Sequence, residues 1–300
     1  RHIEAIKNTN NKLIAALDPN DSVGILDKHF FDVEYFQTEE EFIKYFERED
    51  TPQLDFISIC SPNFLHEKHI ELGLRLGAQI ICEKPITIDI PSFEKLEILE
   101  KKSNNQIFTV LQLRHHPAIL ELKKKVDSSP AEKIFNVELN YITSRGPWYH
   151  KSWKGELTKS GGLATNIGVH FFDMLTWIFG DIEESELHIS NDNIVAGYLR
   201  LTRARIKWIL SIDRKYLPQH CKDEQKTTFR SITVDRDEIE FSKGFTGLHD
   251  KVYCEILNGN GYTLEAAKRS IKIIHDLRNS KIIEMTKNSH PYLLSIKESN

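Results

Sequence analysis

Glu83-Lys84-Pro85 closes an apolar run, Gln79-Ile80-Ile81-Cys82, and Asn166-Ile167-Gly168-Val169-His170 opens another behind the pair Gly161-Gly162. A lysine at the carboxyl end of a buried strand can donate to a hydroxyl oxygen as negative charge develops there. A histidine, with an ordinary pKa of about 6.5, can take the hydroxyl proton near neutral pH. Meeting over one carbon, Lys84 and His170 are equipped to oxidise a sugar hydroxyl beside a nicotinamide ring. Each also has a plainer reading, as a solvated strand-end lysine and as a core histidine before Phe171-Phe172.

A second cluster lies between Thr143 and Ser160. Arg145, His150, Lys151, Lys154 and Lys159 stand there against Glu156, with Trp148, Tyr149 and Trp153 interleaved. A basic, aromatic loop in a chain of net charge -4 suits an anionic ligand such as a carboxylate or diphosphate. Arg114, Arg145, Tyr149 and Lys154 are the candidate substrate-anion residues. The plainer reading is a surface loop with chance lysines.

The elements that must position these residues alternate in the first half. Leu13–Leu17, Leu54–Ile59, Ile80–Cys82 and Ile107–Leu113 read as buried strands, separated by helical patterns at Glu39–Arg48, His66–Leu76 and Pro91–Lys101. Apolar strands spaced by helices predict a parallel α/β sheet covered on both faces, with ligands beyond its carboxyl ends. Asp18, Ser61, Asn63, Glu83, Lys84, Gln112 and Arg114 fall at those ends. Asp18 suits an adenosine ribose, or equally a turn before Pro19. The chain opens inside what reads as the first helix, so the first strand and Gly-rich phosphate loop are expected upstream of Arg1, in roughly 10 to 20 residues.

The pattern changes near His116-Pro117. Ala118–Val126 is helical, and Phe135–Tyr141 then alternates with period two. Further strands are predicted at Ile194–Leu201, Ile206–Ile212, Phe229–Val234 and Glu238–Phe241, and helices at Phe171–Phe179, Val252–Leu257 and Leu264–Leu277. Residues 1–116 are therefore expected to form a dinucleotide-binding domain. Residues 117–300 would form an α+β domain around a large, mainly antiparallel open sheet with helices on one side.

At these residues the sequence resembles the glucose-fructose oxidoreductase/inositol dehydrogenase family (Gfo/Idh/MocA). The likeness is carried by Ala15-Ala16-Leu17-Asp18, Ile59-Cys60-Ser61-Pro62-Asn63 with His66, Glu83-Lys84-Pro85, and Gly161-Gly162 through His170 and Asp173. Within the family the closer likeness is to bacterial UDP-N-acetylglucosaminuronate 3-dehydrogenases of surface-polysaccharide (lipopolysaccharide O-antigen) assembly. It runs through Leu111-Gln112-Leu113-Arg114, Tyr141 to Gly146, Ser152-Trp153-Lys154-Gly155 and Ala164 to Gly168. The resemblance implies a Rossmann domain holding NAD through Asp18, Ser61, Pro62, Asn63, His66, Glu83, Lys84 and Gln112. It implies oxidation of a UDP-sugar uronic acid at C3, a downstream aminotransferase, NADH recycled by 2-oxoglutarate, and a homotetramer. The family commonly carries Asp four residues before the histidine; Asn166 stands there, cannot ionise, and is cast as a substrate hydrogen-bonder.

Composition sets the outer bounds. At 300 residues two domains are expected, and 40 basic against 44 acidic residues argues against nucleic-acid binding by bulk charge. No apolar run approaches the roughly 20 residues of a membrane helix. The four cysteines, Cys60, Cys82, Cys221 and Cys254, form no C-x-x-C pair, so neither a metal nor a disulfide is expected and the cytoplasm is the expected address. Two other readings stay open: a dehydrogenase of a free sugar, polyol or small alcohol, and a non-catalytic nicotinamide-sensing module.

Overall fold

A computed structural model describes residues 1–20, 24–239 and 244–298, with side chains to residue 294. Its first unit runs α1 (His2–Asn8), β1 (Ala15–Leu17), β2 (Glu34–Phe36), α2 (Glu39–Phe46), β3 (Phe56–Ile59), α3 (His66–Arg75), β4 (Gln79–Cys82), α4 (Ile90–Ser103) and β5 (Ile107–Thr109). The helix starts are written in the sequence. Thr38 and Glu41 form a reciprocal cap on α2, and Asp89 caps α4 with Pro91 in its first turn. All strand pairings here are parallel, as expected, in the order β1-β2 and β3-β4-β5. Among the described residues the two sets do not pair with each other. β4 is almost wholly buried, whereas β1 is half-buried along its length. β2 escaped the sequence reading because three residues carry no period.

The second unit begins at α5 (Pro117–Asp127) and β6 (Phe135–Thr143), followed by α6 (Trp148–Lys151), α7 (Leu157–Ser160) and α8 (Val169–Phe179). Then come β7 (Ile182–Ser190), β8 (Ile194–Leu201), β9 (Ala204–Ser211), α9 (Gln219–Asp223), β10 (Thr228–Val234) and β11 (Asp237–Ile239). The sheet order is β11-β10-β6-β9-β8-β7, antiparallel except for the parallel pair β6-β9. β7 was not predicted: Glu183-Glu184-Ser185-Glu186 breaks the apolar alternation, and such charges suit an edge strand. The last two residues of the expected strand Glu238–Phe241 lie outside the described residues. α8 packs on the inner face of the sheet, where Phe172 meets the fully buried Trp208 of β9 edge-on at 5.2 Å. Helices do not confine themselves to that side. Leu293, in the helix α12 (Pro291–Glu298), packs with Ile194, Ala196 and Ile209 in a separate buried cluster.

Two later helices tie the units together. α10 (Leu248–Leu257) packs against α1, and α11 (Leu264–Asn279) contacts α8, α4 and β5. The free edge of β5 is covered by the segment before α11, with Thr109 N donating to Tyr262 O at 2.8 Å.

The chain does not continue as a strand to Leu113; Gln112–His115 instead form a turn of 3-10 helix. That turn carries Arg114, expected to meet the substrate, into the protein instead. Its Nε and Nη2 donate to the two carboxylate oxygens of Asp173 on α8 at 3.0 and 2.6 Å, and Nη2 also donates to Ala266 O at 2.9 Å. The guanidinium lies 4.6 Å from the Tyr262 ring centre. Both side chains are buried, so Arg114 is an inter-unit clamp and not a cleft residue. Burial pushes the Asp173 carboxyl up while Arg114 pulls it down. The two-pronged geometry requires the ionised acid. Replacing one member leaves a buried charge unpaired, so Arg114→Met should lower stability by about 3–5 kcal/mol. Thermal denaturation should show a smaller loss in the double variant Arg114→Met/Asp173→Leu.

Candidate active site

A cleft of about 420 Å³ lies between the two units, lined by residues from β3 and β4 ends, the 141–154 segment and the start of α8. Ten of the residues expected to do chemistry or binding meet there: Ser61, Asn63, His66, Glu83, Lys84, Arg145, Tyr149, Lys154, Asn166 and His170. Pro62, Asp18, Gln112 and Arg114 do not line it. Pro62 precedes the short helical turn Asn63–Leu65. Asp18 ends β1, and its Oδ1 accepts from the backbone and side-chain amides of Asn20 at 2.9 and 3.0 Å. Gln112 is buried with an unpartnered Oε1. The cleft also holds Trp148 and Trp153 of the basic aromatic loop, together with Cys60, Tyr141 and Ile167, to which the sequence reading gave no role in the site.

Lys84 reaches across the boundary between the units, its Nζ donating to the Asn166 carbonyl at 3.1 Å. The Lys84-Pro85 peptide is cis, and the Pro85 carbonyl is held by His66 Nδ1 at 2.7 Å while His66 Nε2 lies 2.9 Å from Ser61 O. His66 is 1% exposed and bonds only main-chain carbonyls, so it shapes the loop under Lys84. Burial lowers the Lys84 pKa from its ordinary value; the Glu83 carboxylate opposes that and the Lys154 ammonium adds to it. His170 is held well below the usual imidazole range, first by burial and then by the neighbouring Lys84 charge. A neutral imidazole and a cationic lysine therefore open onto one cleft, the protonation states a base and an oxygen-stabilising donor require.

Asn166 is a junction. Its Nδ2 donates to Tyr149 Oη at 2.9 Å, its Oδ1 lies 3.4 Å from Asn63 Nδ2, and its main-chain oxygen takes Lys84. Tyr149 is buried and accepts from Asn166, which leaves its own O–H to donate. The residue sits in a turn of π-helix, Ala164–Gly168, entered from Gly161 and Gly162, both at positive φ. At Gly161 a side chain would also strike Thr165, whose atoms lie 2.5 Å from the place of a Cβ. The glycine pair is thus what allows the chain to turn tightly into this helix.

Charge is unbalanced in the cleft. Among the described residues Lys84, Lys154 and Arg145 have no carboxylate in ion-pair contact, and Lys154 Nζ lies 5.4 and 5.6 Å from the rings of Trp148 and Trp153. Glu83 is occupied: Oε1 accepts from His2 and His249, and Oε2 from Lys84 N. These three side chains are close enough to hold a metal ion, yet each short contact is a complete hydrogen bond. Cys60 is an exposed residue of the cleft, and desolvation of its sulfur with the Glu83 charge pushes its thiol up to about 12. A hollow of about 430 Å³ beside α3 and α4 shares no residue with the cleft.

The comparisons agree with this architecture. Residues 1–111 match the NAD-binding Rossmann fold of the Gfo/Idh/MocA oxidoreductase family, and residues 123–211 match its C-terminal alpha/beta domain. The WlbA (WbpB) dehydrogenase from Thermus thermophilus, solved with NAD and UDP-GlcNAcA, is 42% identical at a TM-score of 0.93, over 97% of this chain and 94% of that one. The chain belongs to the Gfo/Idh/MocA family. The Thermus thermophilus enzyme solved with NAD and alpha-ketoglutarate superposes at a TM-score of 0.92, again at 42% identity and with the same coverage of both chains. Among curated relatives, Inositol 2-dehydrogenase of Rhizobium meliloti is 28% identical over 44% of this chain and 39% of its own length. The chain spans only 31% of another, the oxidoreductase YteT of Bacillus subtilis, at 24% identity over 43% of this chain. NAD is therefore the family cofactor, and the polar side chains of Ser61, Asn63 and Lys84 at the strand ends of the cleft fit a polar ligand there. No helix among the described residues is long and apolar enough to cross a membrane.

The directions of the two shifts fix a pH dependence. With His170 as the base, activity is lost on the acid side only when it protonates, so the acid limb of kcat/KM should fall below the ordinary 6.5. Lys84 loses its proton as pH rises through a value below 10.5, which sets the alkaline limb. A pH series of kcat/KM checks both; an acid limb at or above 6.5 would exclude a buried neutral base.

Proposed function

We propose that this chain oxidises the C3 hydroxyl of a UDP-N-acetyl-hexosaminuronic acid to the ketone, with NAD as acceptor. The observation that carries this reading is the pair of cations without an ion-pair partner among the described residues, Lys154 and Arg145, in the same cleft as Lys84 and His170. A diphosphate and a uronate supply the missing negative charge, and the exposed Trp148 offers an apolar face. The 42% identical structures support it, one holding UDP-GlcNAcA and the other alpha-ketoglutarate, both anions.

Lys84 donates to the reacting oxygen and stabilises the charge that builds on it. His170 accepts the hydroxyl proton. When bound, NAD supplies the hydride acceptor. Asn166 and Tyr149 orient the sugar through the hydrogen that Tyr149 retains. In the reverse direction protonated His170 returns a proton, so a 2-oxo acid entering the same cationic cleft can be reduced to a 2-hydroxy acid; 2-oxoglutarate recycles NADH this way. The 3-keto sugar then passes to an aminotransferase of surface-polysaccharide (O-antigen) synthesis. The same reading takes the protein as a cytoplasmic homotetramer.

Inositol dehydrogenases among the curated relatives favour a second reading, a neutral polyol substrate. A polyol leaves Lys154 and Arg145 uncompensated, which is why the nucleotide sugar ranks above it. Under the main reading, mixing protein, NAD and UDP-GlcNAcA produces nicotinamide absorbance that 2-oxoglutarate removes. Turnover of myo-inositol above the nucleotide sugar would overturn it, and no absorbance change with any alcohol would favour a sensing module.

Lys84→Ala and His170→Ala should each lower kcat by about 10²–10⁴ while NADH fluorescence titration still shows binding. Arg145→Ala should raise KM for the nucleotide sugar by about tenfold, the value of one charge-assisted contact, with kcat little changed.

A further inference from the structure

Behind the cleft runs a polar chain that the chemistry above does not use. Glu83 Oε1 accepts from Nε2 of His2 at 3.0 Å and Nε2 of His249 at 3.1 Å, while Oε2 accepts from the Lys84 amide at 3.1 Å. His2 Nδ1 lies 2.9 Å from Tyr253 Oη, which lies 2.6 Å from Ser58 Oγ. Side chains from α1 and α10 converge on the one carboxylate, and Tyr253 of α10 extends the chain to Ser58 of β3. His249 is 166 residues from Glu83 in sequence and 5% exposed.

The order of the hydrogens follows from elementary bonding. An ionised carboxylate only accepts, so both Nε2 atoms carry hydrogen. His2 Nδ1 and Tyr253 Oη share one hydrogen, and Tyr253 Oη and Ser58 Oγ share another. Burial holds the Tyr253 phenol well above its usual range, so it keeps its hydrogen.

We propose that His249, with His2, is a positioning residue for the reaction centre: it fixes Glu83, which in turn fixes the main chain of Lys84 and sets a negative charge beside its ammonium. This rests on Lys84 acting at the substrate oxygen. Glu83 is the only carboxylate acting on Lys84 among the described residues, since the other charge there is Lys154. A buried ammonium without a fixed counter-charge tends to give up its proton. It can then no longer stabilise an oxyanion.

Three variants test this. His249→Phe fills the space without a donor, His249→Ala empties it, and His249→Gln restores an N–H toward Glu83. With folding confirmed by thermal melts, kcat should fall at least about tenfold in the Phe and Ala variants, as for one lost charged hydrogen bond. KM for the nucleotide sugar should stay within about twofold, and Gln should recover most of kcat. Wild-type kcat in the Phe variant, or Gln no better than Phe, would overturn the proposal. A second measurement needs no substrate: amine-reactive labelling of Lys84, followed by peptide mass spectrometry at mildly alkaline pH. His249→Phe should label several-fold faster than wild type, and equal rates would also overturn the proposal. Were the wild type inert toward every nucleotide sugar, the substrate reading would fall, and the labelling comparison would still decide the role of His249.

Discussion

An ammonium group removed from water is stable only where something negative or strongly polar is built to face it, and Lys84 shows how that need organises this protein. One side of the lysine is met by Glu83, its neighbour in sequence; the other is met by the Asn166 carbonyl, 82 residues away on the second unit. The strand that ends at Cys82 sets the first contact, and the π-helical entry to α8 sets the second. Neither unit alone completes the environment. The candidate site is a property of their junction.

The junction is held by polar contacts as well as by apolar burial. Arg114 and Asp173 clamp it from beneath, and Asn63 donates across it to Ser160 O at 3.0 Å. These are costly groups to bury, and each has its hydrogen-bonding capacity turned toward a partner with matched geometry. Apolar area supplies the bulk of the driving force through α8, whose Phe171, Phe172, Met174, Leu175, Ile178 and Phe179 are buried in the main core. The polar set decides which register the two units adopt.

Much of this was legible in the residues. Strands β3 and β4 stood out because apolar runs ended at turn residues, and Glu83-Lys84-Pro85 was readable as the end of one of them. The basic aromatic segment around Trp148 to Lys154 does reach the cleft. Arg114 misled for a physical reason: a strand that stops at Thr109 and coils into a 3-10 turn rotates the next side chains, and no local residue signals that stop. Asn166, read as a substrate hydrogen-bonder, lines the cleft, and what the sequence did not signal is that its amide also engages Tyr149 and Asn63. His2, His249 and Tyr253 carried no sequence signal, since each sits in an ordinary helical pattern and gains meaning only from contacts across the fold.

The ring of contacts through Asn166 bears on how ligands come and go. With Lys84 and Asn63 fastened to the second unit above and Arg114 to Asp173 below, a wide hinge-like parting of the two halves would break all of these at once. The short helices between Pro147 and Ser160 are tied in as well, through Tyr149 to Asn166 and through Ser160 O to Asn63, and they carry the exposed Trp148 and Leu157 on their outer side. The cleft is therefore braced from both units before a ligand arrives, and little ordering is left for binding to supply.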